Sequence, residues 1–192
     1  MGPDFVPKNV FKEADKLPPT FRRVVVFPLS YNESEPDALA GKQVLEPILQ
    51  AELTKQSKME LVFLKPQQLQ LWTGRDRWDF QEPLPHDLLK IMREKANAEG
   101  ILFAHLTHYT AYPPIKIGWR FKLTTATDGD VLWSADEIFD GGEEAVSNSA
   151  RRYAKSHLNK APVLGDSRSI LLSPSSFGQY TLAALLDTIP AR

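Results

Sequence analysis

The chain has 192 residues, 42% of them hydrophobic and 24% charged, with no cysteine and a formal net charge of -1. That length suits one domain able to bury its own core without disulfides or a metal to staple it. A near-zero charge, mixed in sign along the chain, gives no broad electrostatic case for nucleic acid or anionic lipid, and the lack of cysteine excludes disulfides, thiolate metal sites and cysteine nucleophiles together.

No run approaches the roughly 18 consecutive apolar residues of a spanning helix, and the N-terminus has no apolar segment of the signal-peptide kind. Two settings stay open on this ground: the cytosol, or a mature form whose export signal has been removed. Residues 1–20 carry four prolines and no clear period, which suits an extended tether, so the folded domain is expected to span 21–192. The run "RRVVVFPLS" is short, apolar and β-branched, the pattern of a strand buried on both faces. Between Asp37 and Gln56, residues Val44, Leu45, Ile48, Leu49 and Leu53 share a helical stripe, with Pro47 inside it. The spacing predicts a kinked helix, or one that begins near Pro47. "MELVFL" reads as a second buried strand and "KPQQLQLW" as a short helix entered through Pro66. After a polar, proline-bounded loop at 73–85, Leu88, Met92 and Ala96 recur at helical spacing from His86 to Glu99, with Gly100 as the stop. "ILFAHLTHY" is the next strand.

From Ile115 the chain alternates, with Ile117, Trp119, Phe121 and Leu123 on one face and Lys116, Arg120, Lys122 and Thr124 on the other. That is a half-buried strand. The "DGD" at 128–130 that follows fails as a calcium loop, because the fifth and twelfth positions counted from Asp128 are Leu132 and Phe139. As a turn it has two registers. A two-residue loop sets Leu123 opposite Ser134, whereas a three-residue loop with left-handed Gly129 sets Leu123 against Trp133, Phe121 against Ala135, Thr125 against Val131 and Arg120 against Asp136. The second register keeps both faces consistent. A helix from about Glu143 to His157, a loop through Gly165 and a last helix capped by Ser173 with Pro174 at its first position complete the chain. The fold class is α/β: a single domain, a central mixed sheet with a C-terminal antiparallel meander, and helices packed on it.

Recognisable chemistry is sparse. His105 and His108 lie three apart on a strand, so they point to opposite faces unless a bulge intervenes. There is no nucleophile elbow, phosphate-binding loop or dinucleotide fingerprint, and Glu143-Glu144 is explained by a helix N-terminus. No catalytic residue, metal or other cofactor is called for. The loop "WTGRDRWDF" gathers Trp72, Arg75, Arg77, Trp78 and Phe80, residue types enriched at binding hot spots. The alternative is that Trp72 and Trp78 cover the core while the arginines are solvated. Lys116, Arg120 and Lys122 form a second candidate surface, against the reading of a merely solvated strand face.

The succession "VVVFPLSYN", amphipathic helix, "MELVFL", a helix ending "ANAEGILFAHLTHY" and a hairpin closing "ATDGDVLWSA" resembles the envelope lipoproteins related to the curli secretion channel subunit. The same layout is similar to the N-terminal domain of the Tol-Pal translocation protein and to lipoprotein activators of penicillin-binding proteins. The likeness is nearest to uncharacterised bacterial lipoproteins with a proline in the first helix, here Pro47, and a last segment like "LLSPSSFGQYTLAALLDTI". It covers about residues 21–188 and implies a periplasmic domain, anchored to the outer membrane by an acylated cysteine upstream of this sequence. It also implies a non-enzymatic role, with envelope proteins as partners, membrane contact only through the lipid anchor, and self-association left open. A membrane barrel would need further strands of roughly 9–11 alternating residues each, and only 101–139 alternates. An accessory, scaffold or activator role in an assembly or secretion complex is therefore expected, with a small-ligand or peptidoglycan-binding domain as the alternative.

Overall fold

A computed structural model describes residues 2–78, 80–158 and 169–192. Among these, the strands are β1 (Val10–Lys12), β2 (Arg23–Val26), β3 (Ser30–Tyr31), β4 (Glu60–Phe63), β5 (Gly100–Thr110), β6 (Lys116–Thr125) and β7 (Val131–Asp140). The α-helices are α1 (Ala38–Gln56), α2 (Pro66–Thr73), α3 (His86–Ala96), α4 (Glu144–Tyr153) and α5 (Pro174–Leu186). One sheet carries all the strands in the order β1-β7-β6-β5-β2-β4, with β3 paired to β5. β2 is parallel to both β4 and β5, while β5, β6 and β7 form the antiparallel meander. The expected mixed α/β architecture is the one observed.

Local departures from the sequence reading have identifiable causes. Pro28 cannot donate to a ladder, and the valine-rich run divides around it into β2 and β3. α1 does not begin at Pro47 but runs through it. Pro47 and Gln43 are both exposed, so water can satisfy the carbonyl that loses its helical N–H, while buried Leu45, Leu49 and Leu53 hold the opposite face. α3 stops at left-handed Asn97 (φ 51°), whose N–H reaches the Met92 carbonyl. Gly100 instead opens β5, where a Cβ would overlap the ring of Phe21. α4 ends at Tyr153 and a π-helical turn continues from Ala154 to Leu158. The expected loop through Gly165 falls largely outside the described residues. Ser173 caps α5 as its sequence predicts, its Oγ accepting from the Ser176 N–H at 3.3 Å.

The hairpin keeps the expected pairs Leu123–Trp133, Phe121–Ala135 and Arg120–Asp136. Nearer the tip Thr124, and not Thr125, faces Val131, with Leu132 as the extra residue. Ala126 causes the slip: it is fully buried in the core, and its N–H donates to the Glu99 carbonyl at 2.8 Å. It cannot also pair with Asp130, so the loop is one residue longer, with Gly129 left-handed at φ 77° as expected.

The N-terminal arm is extended but not free. Its residues 10–12 pair with β7, and Phe5 lies 5.0 Å from the Phe139 ring. Leu17, ahead of the expected domain start at Phe21, is buried. Three paired residues are too few to leave a period in the sequence.

Two cores flank the sheet. The first lies under α1, α4 and α5 and contains Trp119, Phe121, Trp133, Phe139 and Phe177; the second lies under α2 and α3 and joins Leu69, Leu88, Leu89 and Met92 to Val25, Ile101 and Phe103. Both buried indoles of the first core find acceptors, Trp119 Nε1 on Thr181 Oγ1 at 2.9 Å and Trp133 Nε1 on Thr188 Oγ1 at 3.0 Å.

Candidate functional site

The parallel part of the sheet creates a crevice by its topology. From β2 the chain passes through α1 to β4 on one side, then through α2 and α3 to β5 on the other side of β2. α1 packs in the first core and α2 and α3 in the second, so the two connections cover opposite faces. Strand order therefore reverses at β2, and open α/β sheets receive ligands outside the carboxyl ends of strands at such a point. A cleft of about 620 Å³ lies here. Its floor is Ser30 to Glu33, just beyond β2, with His105 of β5 and Arg120 of β6; its rim is the loop between α2 and α3.

That loop brings most of its expected binding residues to the cleft. Arg75, Arg77, Trp78 and Phe80 line it, whereas Trp72 does not. Trp72, Trp78 and Phe80 also pack on the second core, so covering the core and forming the rim are one arrangement and not alternatives. The Arg75 guanidinium lies 4.2 Å from the Trp78 ring centre and forks onto Glu82 at 2.8 and 2.9 Å. Arg77 pairs with Glu33, whose hydrogen bond and charge raise the arginine's pKa further above its ordinary value. The Trp78 indole N–H is buried with no hydrogen-bond partner among the described residues, an uncommon state for a buried donor.

The second candidate surface divides. Lys122 lies 4.8 Å from the Phe80 ring centre and donates to its carbonyl at 2.8 Å, and Arg120 lies 5.8 Å from the same ring. Arg120 is held by Asp136 at 2.7 Å. These two residues join the loop cluster into one site. Lys116 does not: it pairs with Asp140 at 2.8 Å, and that hydrogen bond and charge raise the lysine and lower the carboxyl.

The histidine pair meets the condition set for it, because β5 carries a bulge between Leu106 and His108. The bulge sets both on the face opposite buried Leu106 and Tyr109, yet each has its own partner. His105 Nδ1 is 2.8 Å from Ser30 Oγ, and His108 Nδ1 is 3.6 Å from Glu35. Among the described residues no group of three or more histidine, aspartate and glutamate side chains could hold a metal.

Sequence reasoning missed Ser30, Tyr31, Glu33 and Glu82 as parts of the site. They come from separate segments joined only by the fold, and an unremarkable turn such as "YNES" carries no local signal. It also missed a second cavity, of about 680 Å³, between α1, α5 and the end of α4. There the buried Glu52 carboxylate accepts from Lys55 and Gln179. Burial pushes the phenols of Tyr153 and Tyr180 up to about 12.

No protein-family model and no curated protein sequence matches the chain. Among solved structures it is similar to PelC from Paraburkholderia phytofirmans, a dodecamer, with 17% identity and a TM-score of 0.54 over 95% of this chain and 98% of that one. A lipoprotein from Neisseria meningitidis gives 11% identity and a TM-score of 0.46 over 73% of this chain and 99% of that one. The C-terminal domain of LpoB from Salmonella enterica gives 17% and 0.38 over 62% and 82%. The PelC overlay establishes a shared fold, end to end; at their scores the other two add nothing to that assignment. No helix among the described residues is long and apolar enough to cross a membrane.

Proposed function

We propose that this chain is a non-enzymatic accessory or scaffold domain of a cell-envelope assembly or secretion complex. In this reading it works in the periplasm, held at the outer membrane by a lipid on a cysteine upstream of this sequence, and it contacts protein partners through the cleft beyond β2. The observation that carries the reading is the gathering of Arg75, Arg77, Trp78, Phe80 and Arg120 around one crevice at the reversal of strand order. The fold shared with PelC supports the setting that the family resemblance implies. Since PelC is a dodecamer, self-association of this chain belongs to the same proposal.

The test uses the product of the complete gene in its own host. Labelled palmitate should enter the protein, which should sediment with outer membranes, and the double variant Arg77→Ala/Trp78→Ala should lose cross-linked envelope partners while retaining its circular dichroism spectrum. An unlabelled protein in the cytosolic fraction would remove the envelope setting. One observation favours a second reading, a small-ligand or peptidoglycan-binding domain: the cleft has the size of a small-molecule pocket and polar groups from four separate segments. Retention of every partner by the double variant, together with binding of soluble peptidoglycan fragments, would favour it.

A further inference from the structure

The sheet ends on one side in β4, and no strand lies beyond it among the described residues. Glu60 donates its N–H to the Arg22 carbonyl at 2.8 Å and Leu64 donates to the Val26 carbonyl at 3.0 Å. By the alternation of a parallel ladder, the N–H and C=O of Leu61 and Phe63 then face outward. Sheet edges are ordinarily blunted by charged side chains or proline. Here Leu61, Val62 and Phe63 are all apolar and half-buried, and the one charge in the strand, Glu60, is tied back to Arg23 at 2.6 Å. The opposite edge is guarded, since β1 ends in exposed Lys12.

This edge is complementary to a second copy of itself. About a two-fold axis at Val62, an antiparallel β4 sets Leu61 opposite Phe63 of the second copy and Phe63 opposite its Leu61. Each pair exchanges both of its hydrogen bonds, so every outward backbone group of the strand is used. Val62 faces its own copy in the close, non-hydrogen-bonded position. An axis at Leu61 or at Phe63 would instead set the other outward residue against Met59 or Lys65, beyond the strand. Leu61 and Phe63 lie on the face of the first core and Val62 on that of the second, so the pairing continues both cores across the axis. From Lys58 to Pro66 it places no like charges opposite each other, because Glu60 meets Leu64 and Lys58 meets Pro66.

We infer that the outer edge of β4 is an interface between two copies of this chain, which pair antiparallel about a two-fold axis at Val62 and join their sheets into one. Main-chain hydrogen bonds hold the strands together, and the apolar pairs Leu61–Phe63 on one face and Val62–Val62 on the other fix the register. The inference rests on the self-association included in the proposal above and gives it a geometry. It rests neither on the cellular setting nor on the cleft.

The test is cross-linking through introduced cysteine, which this cysteine-free chain makes unambiguous. Cα atoms of a non-hydrogen-bonded pair lie about 4.5 Å apart, within disulfide range. The purified chain should sediment with twice the mass of one copy, and Val62→Cys should give a disulfide-linked dimer under mild oxidation. Glu60→Cys is the control. The Glu60 side chain is 59% exposed and so more open to chance collision, yet across the axis it lies about 14 Å from its own copy, and the variant should stay unlinked. Leu61→Pro removes an outward N–H while leaving the bonds to β2, and should raise the dimer dissociation constant roughly tenfold or more. Should Leu61→Pro fail to fold, the contrast between positions 60 and 62 alone reads out the register. A chain that sediments as a monomer would overturn this interface together with the self-association. An oligomer whose Val62→Cys variant stays unlinked, or links no faster than Glu60→Cys, would overturn the interface and leave self-association standing. Neither result touches the envelope setting, which the palmitate and fractionation results decide.

Discussion

The two faces of the sheet are closed to different degrees. On one, α1 and α5, of 19 and 13 residues, cross the strands with α4 beside them, and Trp119, Phe121, Trp133 and Phe139 are fully excluded from water. On the other, α2 and α3 have only 8 and 11 residues and pack over β2 and the start of β5. Beyond Phe103 the cover is the loop that brings Phe80 onto Lys122 and Arg120. On one face both buried indoles are satisfied, and the cavity there lies among α1, α5 and the end of α4 and not over the strands; the other ends in paired charges around a cleft. The asymmetry separates two tasks. Stability is concentrated where apolar area is most completely buried, and the site proposed for recognition lies where the helices run out and polar groups take over.

The largest effect should come from the closed face. Trp119→Ala removes a fully buried indole and its hydrogen bond to the Thr181 hydroxyl, which keeps only its bond to the Gly178 carbonyl; this should cost about 3–5 kcal/mol in urea unfolding. Adding volume there should also be costly. Gly178 of α5 leaves no room for a Cβ beside Leu45 of α1, so Gly178→Ala should cost about 1–3 kcal/mol despite the better helix propensity of alanine. If both substitutions cost less than 1 kcal/mol, the closed face is not where this protein keeps its stability.

A spectroscopic measurement sharpens the same contrast. The protein has five tyrosines. Burial raises Tyr153 and Tyr180, of the closed side, to about 12 and Tyr109 in the same direction. A group whose pKa is higher folded than unfolded holds its proton more tightly in the native state. It therefore leaves stability intact below the ordinary tyrosine value near 10 and withdraws it as pH rises toward 12. Absorbance at 295 nm should show tyrosinate forming late, together with loss of near-ultraviolet dichroism. Simple titration of all five near pH 10 in an intact fold would contradict this burial.

The sequence was informative where one element determines its own face. Alternation at 115–124 identified the buried side of β6, and the register argument placed Leu123 opposite Trp133, because slipping by one residue would turn a whole apolar face to water. It was uninformative where a distant segment decides. Ala126 is drawn into the core by Glu99, and β1 exists only because β7 offers an edge. The candidate site lies between these limits. Arg75, Arg77, Trp78 and Phe80 stood out as a composition anomaly in one loop, but their carboxylate partner Glu33 and their neighbour Arg120 come from segments that only the strand crossover brings near. Lys116 looked equivalent to Arg120 along the strand, and each has an aspartate opposite, Asp140 and Asp136; what separates them is that Arg120 and Lys122 meet Phe80, whereas Lys116 sits at the start of β6.

The smallest expected effect concerns the open face, and its smallness is informative. Arg75 and Glu82 make a two-pronged pair with good geometry, and Arg75 also stacks on Trp78. Judged by contacts alone, this is the strongest polar arrangement in the molecule's rim. Yet the two side chains are 45% and 38% exposed, so water competes for both and most of the Coulomb attraction is screened. A double-mutant cycle of Arg75→Ala and Glu82→Ala should therefore give a coupling no greater than about 1 kcal/mol, falling further at high salt. A coupling above 2 kcal/mol, insensitive to salt, would mean that the rim is a structural clamp. A small one leaves the pair with a different role, holding an aromatic and a guanidinium group in a fixed orientation toward whatever enters the cleft.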